Sequence, residues 1–233
     1  MITVIITFYN HMAFLMDSVQ SILNQTYNKF TLFLMNDDPR YDLKEYEKLD
    51  NRIEVFQDGR NMGQAFRLNQ AVEKCNTEYI AFQDADDISI PERLEISINN
   101  IAENDLIYCD FIREGFNYWN SKYVLMPENF NINSDIFGAF ASIFVRTEIA
   151  QRFKFKSYIG LGNDKAWWIE LVVNNVKCRK INLPLYYIAP PCTSVFRKRI
   201  NIPVLRKFHR IYRQTFKEKE YKKIIEQIRN EYR

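Results

Sequence analysis

Short apolar runs alternate with stretches of helical spacing through the first hundred residues. Ile2–Thr7 is a β-branched run closed by the turn residues Tyr9-Asn10-His11. Phe30–Met35 is a second run, ended by Asn36-Asp37-Asp38-Pro39. Ile53–Phe56, Tyr79–Phe82 and Leu106–Cys109 read as further strands. Between them, Ala13–Leu23 sets Phe14, Leu15, Val19, Ile22 and Leu23 on one helical face, and Gln64–Lys74 does the same with Ala65, Leu68, Ala71 and Val72. A third helix is expected from Pro91 to about Asn104, opened by a capping box of Ser89 and Glu92 around Pro91. This alternation predicts an α/β fold with a mostly parallel sheet covered by helices. The second half is less regular, with strands expected near Tyr123–Met126, Ser142–Val145, Val176–Ile181 and Leu185–Ile188.

Composition narrows the classes. At 233 residues, 47% apolar and 15% aromatic, the chain can build a sizeable core. It holds 6 glycines, and neither a G-x-G-x-x-G nor a G-x-x-x-x-G-K-[ST] phosphate cradle is present. The four cysteines, Cys75, Cys109, Cys178 and Cys192, are scattered, and there are two histidines, so free thiols are expected rather than disulfides or zinc. The amino-terminal run reads as a strand and not as a secretory signal, which gives a cytoplasmic expectation. Charge is uneven. Residues 196–233 carry 13 Lys and Arg against 4 Glu, so the rest of the chain is mildly acidic. Helical spacing of the apolar residues from Val204 onward makes this tail a basic amphipathic helix. Two readings of it stay open: a helix packed on the body with solvated charges, or a peripheral contact with an anionic inner membrane face through 197–233. No base-stacking platform or groove-reading motif accompanies it, and no nucleic acid is expected as a partner.

In open α/β sheets, ligands bind beyond the carboxyl ends of the strands. Three polar clusters fall there: Thr7-Phe8-Tyr9-Asn10, Asn36-Asp37-Asp38 and Asp84-Ala85-Asp86-Asp87. Three carboxylates within four residues repel one another, each pair by roughly 3 kcal/mol at ~5 Å and an effective dielectric of ~20. With Ser89 and Glu92 expected to cap the next helix, a divalent cation is the natural partner of the aspartates, and their hard oxygens suit Mg²⁺ or Mn²⁺ completed by substrate phosphates. Asn36-Asp37-Asp38-Pro39 reads equally as a plain turn. Asp164, after Gly160-Leu161-Gly162-Asn163, lies at a helix start, where it serves as an N-cap or as a carboxylate taking a proton from an attacking hydroxyl.

These segments resemble the family 2 glycosyltransferases. The likeness runs from Val4-Ile5-Ile6-Thr7-Phe8-Tyr9-Asn10 through Ser18–Tyr27, Asn36-Asp37-Asp38, Asn61-Met62-Gly63 and Leu68-Asn69-Gln70-Ala71. It continues over Glu78–Asp87 and Pro91-Glu92-Arg93-Leu94, and resumes at Gly162-Asn163-Asp164. The resemblance implies a GT-A fold over residues 1–195, with a nucleotide-sugar half at 1–104 and an acceptor half at 105–195. It implies an inverting transfer from a nucleoside diphosphate sugar, a uridine diphosphate sugar in particular, to a hydroxyl of a saccharide, lipid-linked or protein acceptor. By the same likeness, Thr7, Phe8, Tyr9, Asn10, Asp37, Asn61, Gly63, Asp84 and Ala85 bind the nucleotide. Asp86 with Asp84 holds Mn²⁺ or Mg²⁺, and Asp164 is the general base. Two departures stand out: Asn163 where the family usually has Glu, and Ile188-Ala189-Pro190-Pro191-Cys192 where it often has Arg or His. A nucleotide-sugar-binding protein of the same fold without transfer, and a nucleotidyltransferase, are the alternative functions.

Overall fold

The computed structural model describes residues 1–10, 12–113, 122–124, 140–157 and 163–188. The chain divides into two units, Met1–Pro190 and Pro191–Arg233. The second unit, with Cys192 and the expected basic helix, lies outside the described residues.

Nine strands are described: β1 Ile2–Phe8, β2 Phe30–Asn36, β3 Ile53–Phe56, β4 Tyr79–Asp84, β5 Ile88–Ser89, β6 Leu106–Arg113, β7 Lys122–Val124, β8 Phe144–Arg146 and β9 Cys178–Ile188. The helices are α1 Met12–Leu23, α2 Gln64–Lys74, α3 Arg93–Asn100, α4 Thr147–Arg152 and α5 Asn163–Val173. One sheet runs in the order β3-β2-β1-β4-β8-β6-β9-β5, with β7 paired to β6. The first four strands of that order are parallel, and β8 joins antiparallel to β4. Ile2, Val4, Ile5 and Ile6 of β1 are fully buried, as central parallel strands covered on both faces require. The parallel sheet expected from the sequence is present in β3-β2-β1-β4, and β6 and β9 add a further parallel pair, while β5, β7 and β8 join antiparallel and make the whole sheet mixed.

Two local expectations are corrected. The third helix starts at Arg93 and ends at Asn100, and the capping box does not form: Glu92 stands at the N-cap without a side-chain cap bond. Ser89 is unavailable because it lies in β5, donates to Gln83 Oε1 (2.6 Å) and accepts from Arg93 Nη1 (2.8 Å). A buried guanidinium needs acceptors more than a helix start needs a cap. Second, the two late strands are one strand, β9, whose register against β6 shifts around Asp110, opposite Pro184. Proline has no N–H to give the ladder, so the irregularity falls there. The polar stretch before β3 holds a 3-10 turn at Lys44–Lys48. Cys75, Cys109 and Cys178 are free thiols, the last only half-buried.

Candidate active site

The register lays the carboxyl ends of three strands side by side. Thr7 pairs with Met35 on β2 and with Asp84 on β4, and Phe8 pairs with Asn36. The chain therefore leaves the sheet at one level through Tyr9-Asn10, Asp37-Asp38 and Ala85-Asp86-Asp87. The strand order turns from β2 on one side of β1 to β4 on the other, the crevice where open α/β sheets take ligands. Of the residues expected there, Thr7, Asp84 and Asp86 are half-buried, Tyr9, Asn10 and Asn61 are exposed, and Ala85 is buried. Phe8 is fully buried with its ring edge on Tyr41 (5.8 Å), so it supports the site from below.

Asp37 is 4% exposed and already occupied. Its Oδ1 accepts from the Met62 N–H (2.7 Å) and from Arg67 Nε (3.0 Å), and its Oδ2 accepts from the Gly63 N–H (2.9 Å). Gly63 has φ +89° and ψ 151°, a region essentially closed to other residues, and this lets two successive N–H groups face one carboxylate. A carboxylate offers about four acceptor positions. Three are filled from within, so one is left for a ligand donor.

Asp84 sits differently. Its backbone N–H donates to the Tyr186 hydroxyl (3.0 Å), and its carbonyl accepts from Ser18 Oγ (2.8 Å), which fixes the end of β4 between α1 and β9. Burial, and then the neighbouring carboxylates of Asp86 and Asp164, push its carboxyl up to about 7, while the Arg93 charge opposes the rise. Asp86 and Asp164, 78 residues apart, thus act on the same carboxyl group. Packing explains how α5 arrives there. Trp167 and Trp168 are fully buried, and Trp167 stacks on Phe155 (4.9 Å) and meets the Phe82 ring edge-on (6.1 Å). Phe82 and Asp84 share one face of β4, and Asp164 lies one helical turn before Trp167 and Trp168. The aromatic contact that seats the helix therefore brings its first turn to the strand end. Asp164 is half-buried in that turn, and Gly160-Leu161-Gly162 lie outside the described residues.

Arg67 and Arg93 carry the site from beneath and were not singled out in the sequence. Arg67, 1% exposed, bonds Asp37, Asp58 Oδ1 and the Arg60 carbonyl. Arg93, also 1% exposed, donates to Gln83 Oε1 (3.0 Å), to Ser89 Oγ and to the carbonyls of Phe82 (2.8 Å) and Ala141 (2.6 Å). Its guanidinium carbon lies 5.0 Å from the Tyr186 ring centroid. The signal that finds both is a charged residue beside the apolar face of a helix, next to Leu68 and Leu94, because a charge there must have a buried partner.

Among the described residues, no set of three or more His, Cys, Asp or Glu side chains is arranged to hold a cation alone. Mg²⁺ and Mn²⁺ commonly take one or two carboxylates and complete their shell with water and substrate phosphates. The crowding of negative charge at Asp84, Asp86 and Asp164 is the kind of donor set a hard cation relieves. Among the described residues no helix is long and apolar enough to cross a membrane.

The uncharacterized glycosyltransferase MJ1057 of Methanocaldococcus jannaschii is 28% identical over 199 residues, covering 76% of this chain and 66% of that protein. S. aureus TarS 1-349, solved in complex with UDP, superposes with a TM-score of 0.68 at 19% identity, over 81% of this chain and 60% of that one. A mannosyltransferase of Pyrobaculum calidifontis, solved with GDP-Man and Mn²⁺, gives 0.64 at 14% identity, over 85% and 59%. The chain spans about two thirds or less of the length of each of these proteins. These likenesses agree with the GT-A fold expected from the sequence. The family model for glycosyl transferase family 2 matches residues 3–204, and the chain belongs to that family.

Proposed function

We propose that the protein transfers a sugar from a nucleoside diphosphate sugar, a uridine diphosphate sugar in the first instance, to an acceptor hydroxyl with inversion at the anomeric carbon. What supports this reading is that the charges of Asp86 and Asp164 both bear on the Asp84 carboxyl, with α5 packed through Trp167 onto Phe82 of β4. On this reading Tyr9 and Thr7 receive the base and ribose beside Asp37. The remaining acceptor position of Asp37 matches the single N–H of a uracil edge, whereas guanine presents N–H donors at two adjacent atoms.

Asp86 with Asp84 would hold Mn²⁺ or Mg²⁺, which supplies positive charge against the diphosphate leaving group. Asp164 accepts the proton of the acceptor hydroxyl as its oxygen bonds to the anomeric carbon. The bond from that carbon to the diphosphate oxygen breaks on the opposite face, and the nucleoside diphosphate departs with the electron pair. Tyr186 and Ser18 keep Asp84 in place during the exchange, because they anchor its backbone and not its carboxylate.

Asp164→Asn tests the reading. Asparagine caps a helix about as well as aspartate but takes no proton at neutral pH. With a panel of nucleotide sugars, Mn²⁺ and a verified acceptor, the variant should bind donor normally and lose roughly 10²–10⁴-fold in transfer rate. Full activity removes Asp164 from the mechanism.

A further inference from the structure

The turn after β1 is tied to the loop after β2. Asn10 has φ +59°, in the left-handed region that asparagine enters more readily than most side-chain-bearing residues. Two bonds from the β2 loop keep it there. Its N–H donates to Asp38 Oδ2 (3.0 Å), and its Oδ1 accepts from Arg40 Nη2 (3.0 Å). Asp38 is 1% exposed, and Arg40 grips it with a fork: Nε donates to Oδ1 (2.7 Å) and Nη2 to Oδ2. The Arg40 backbone N–H adds a third bond to Oδ1 (3.1 Å).

The Arg40 guanidinium carbon also lies 5.7 Å from the Tyr9 ring centroid and 5.6 Å from that of Tyr41. Tyr9 is 49% exposed, so this cation is a fixed neighbour on a ring that otherwise faces solvent. Beside Arg40 opens a cleft of about 360 Å³ lined by Asn36, Tyr41, Gln57 and Arg60. The guanidinium is therefore held in place by Asp38 and not by packing from every side. The Arg40 contact holds the Asp38 carboxyl at about 2, so the pair stays charged at neutral pH.

We propose that Arg40 is a positioning residue for donor binding: clamped on buried Asp38, it bridges the two loops and holds the Tyr9–Asn10 turn in the shape that receives the nucleobase. The inference rests on the reading of Tyr9 as part of the nucleotide cleft. It requires the planar fork, which reaches Asp38 with two nitrogens and Asn10 with one. Lysine keeps the charge and cannot reproduce that geometry.

The experiment compares the intact protein with Arg40→Lys and Arg40→Ala. Calorimetry with UDP, and GDP in parallel, is run in Mn²⁺ and combined with donor KM and kcat and with hydrogen exchange at the Asn10 amide. Both variants should weaken UDP by about 10- to 150-fold, the scale of one charge-assisted hydrogen bond. They should raise donor KM while kcat holds, and speed exchange at Asn10. Arg40→Lys binding UDP as the intact protein does overturns the proposal, because charge alone then suffices. A fall in kcat at unchanged KM also overturns it. If the intact protein binds no nucleoside diphosphate, the nucleotide reading fails and the positioning role with it. Unchanged affinity in the variants of a protein that does bind removes the positioning role alone.

Discussion

Tyr186→Phe removes one oxygen atom and isolates one structural question. The hydroxyl accepts the Asp84 N–H at 3.0 Å, and Tyr186 is fully buried. Burial, and then the carboxylates of Asp87 and Asp84, hold that hydroxyl protonated well above the ordinary tyrosine range, so it works as a neutral partner. Phenylalanine keeps the ring over the Arg93 guanidinium, so the aromatic contact survives. What is lost is the acceptor of one buried amide at the last residue of β4. A buried donor left without a partner costs about 1–3 kcal/mol. For a domain with about 5–15 kcal/mol in hand, that loss is visible and survivable. Urea unfolding should show a lower midpoint with an unchanged slope, since the surface exposed on unfolding is the same. Because Asp84 is the residue whose amide is freed, Mn²⁺-dependent UDP affinity should fall as well, while binding of uridine alone changes less. Stability and affinity both equal to those of the intact protein refute the reasoning, because the Asp84 amide then does not depend on Tyr186.

The remaining expectations use the same contacts. Asp86→Ala should abolish cation-dependent UDP binding and leave the fold intact, as calorimetry with Mn²⁺ and a melting curve would show. Retained Mn²⁺ dependence removes Asp86 from the metal site. Asp37→Ala should cost stability as well as nucleotide affinity, about 1–3 kcal/mol by chemical unfolding, because it leaves two amides and Arg67 Nε without their acceptor while Asp58 still pairs the Arg67 charge. Equal affinity of the intact protein for UDP and GDP contradicts a base-reading role for Asp37. The Asp38 carboxyl is lowered to about 2 from an unfolded value near 4, so its stabilisation is complete above pH ~4 and is lost as pH falls through 2. The difference in melting temperature between the intact protein and Asp38→Asn should be flat from pH 8 to 5 and shrink between pH 4 and 2. A difference that grows on acidification has the wrong sign.

The parts of this site that were legible in the sequence are those written in local patterns. Strand-ending polar clusters mark Thr7–Asn10, Asn36–Asp38 and Asp84–Asp87, because each follows an apolar run and a parallel sheet aligns its carboxyl ends. The partnership of Asp164 with Asp84 is not local. It depends on Trp167 and Trp168 seating α5 against Phe82 and Tyr108, contacts no spacing rule foretells, and it was reached through the family resemblance alone. The capping box misled because Ser89 and Glu92 satisfy a rule about helix starts without revealing that Arg93 would claim the serine. Arg40 and Arg67 carry no motif of their own, and Arg93 stands within Pro91-Glu92-Arg93-Leu94 without a role that the motif assigns. Their roles follow from the partners the fold brings to them, Asp38, Asp37 and Gln83 among them, which a single sequence does not show.

The acidic groups of the site divide by what already neutralises them. Arg67 from α2 reaches up to Asp37 and Asp58, and Arg40 holds Asp38, so these carboxylates are ion-paired within the protein. Arg93 from α3 lies under β4 in the same way. It gives its hydrogen bonds to Gln83, Ser89 and main-chain carbonyls, and acts on Asp84 only through its field. Among the described residues neither Asp84 nor Asp164 takes part in an ion pair. One end of the crevice thus has its charge balanced and its geometry fixed, as hydrogen-bond recognition of a neutral base requires. The other end sets Asp84, with the charges of Asp86 and Asp164 bearing on it, on a braced backbone, and on the proposed function a cation with an anionic diphosphate would bind there. On that reading a nucleoside diphosphate laid along β2, β1 and β4 would meet these two environments in the order of its own chemistry, base first and phosphates last.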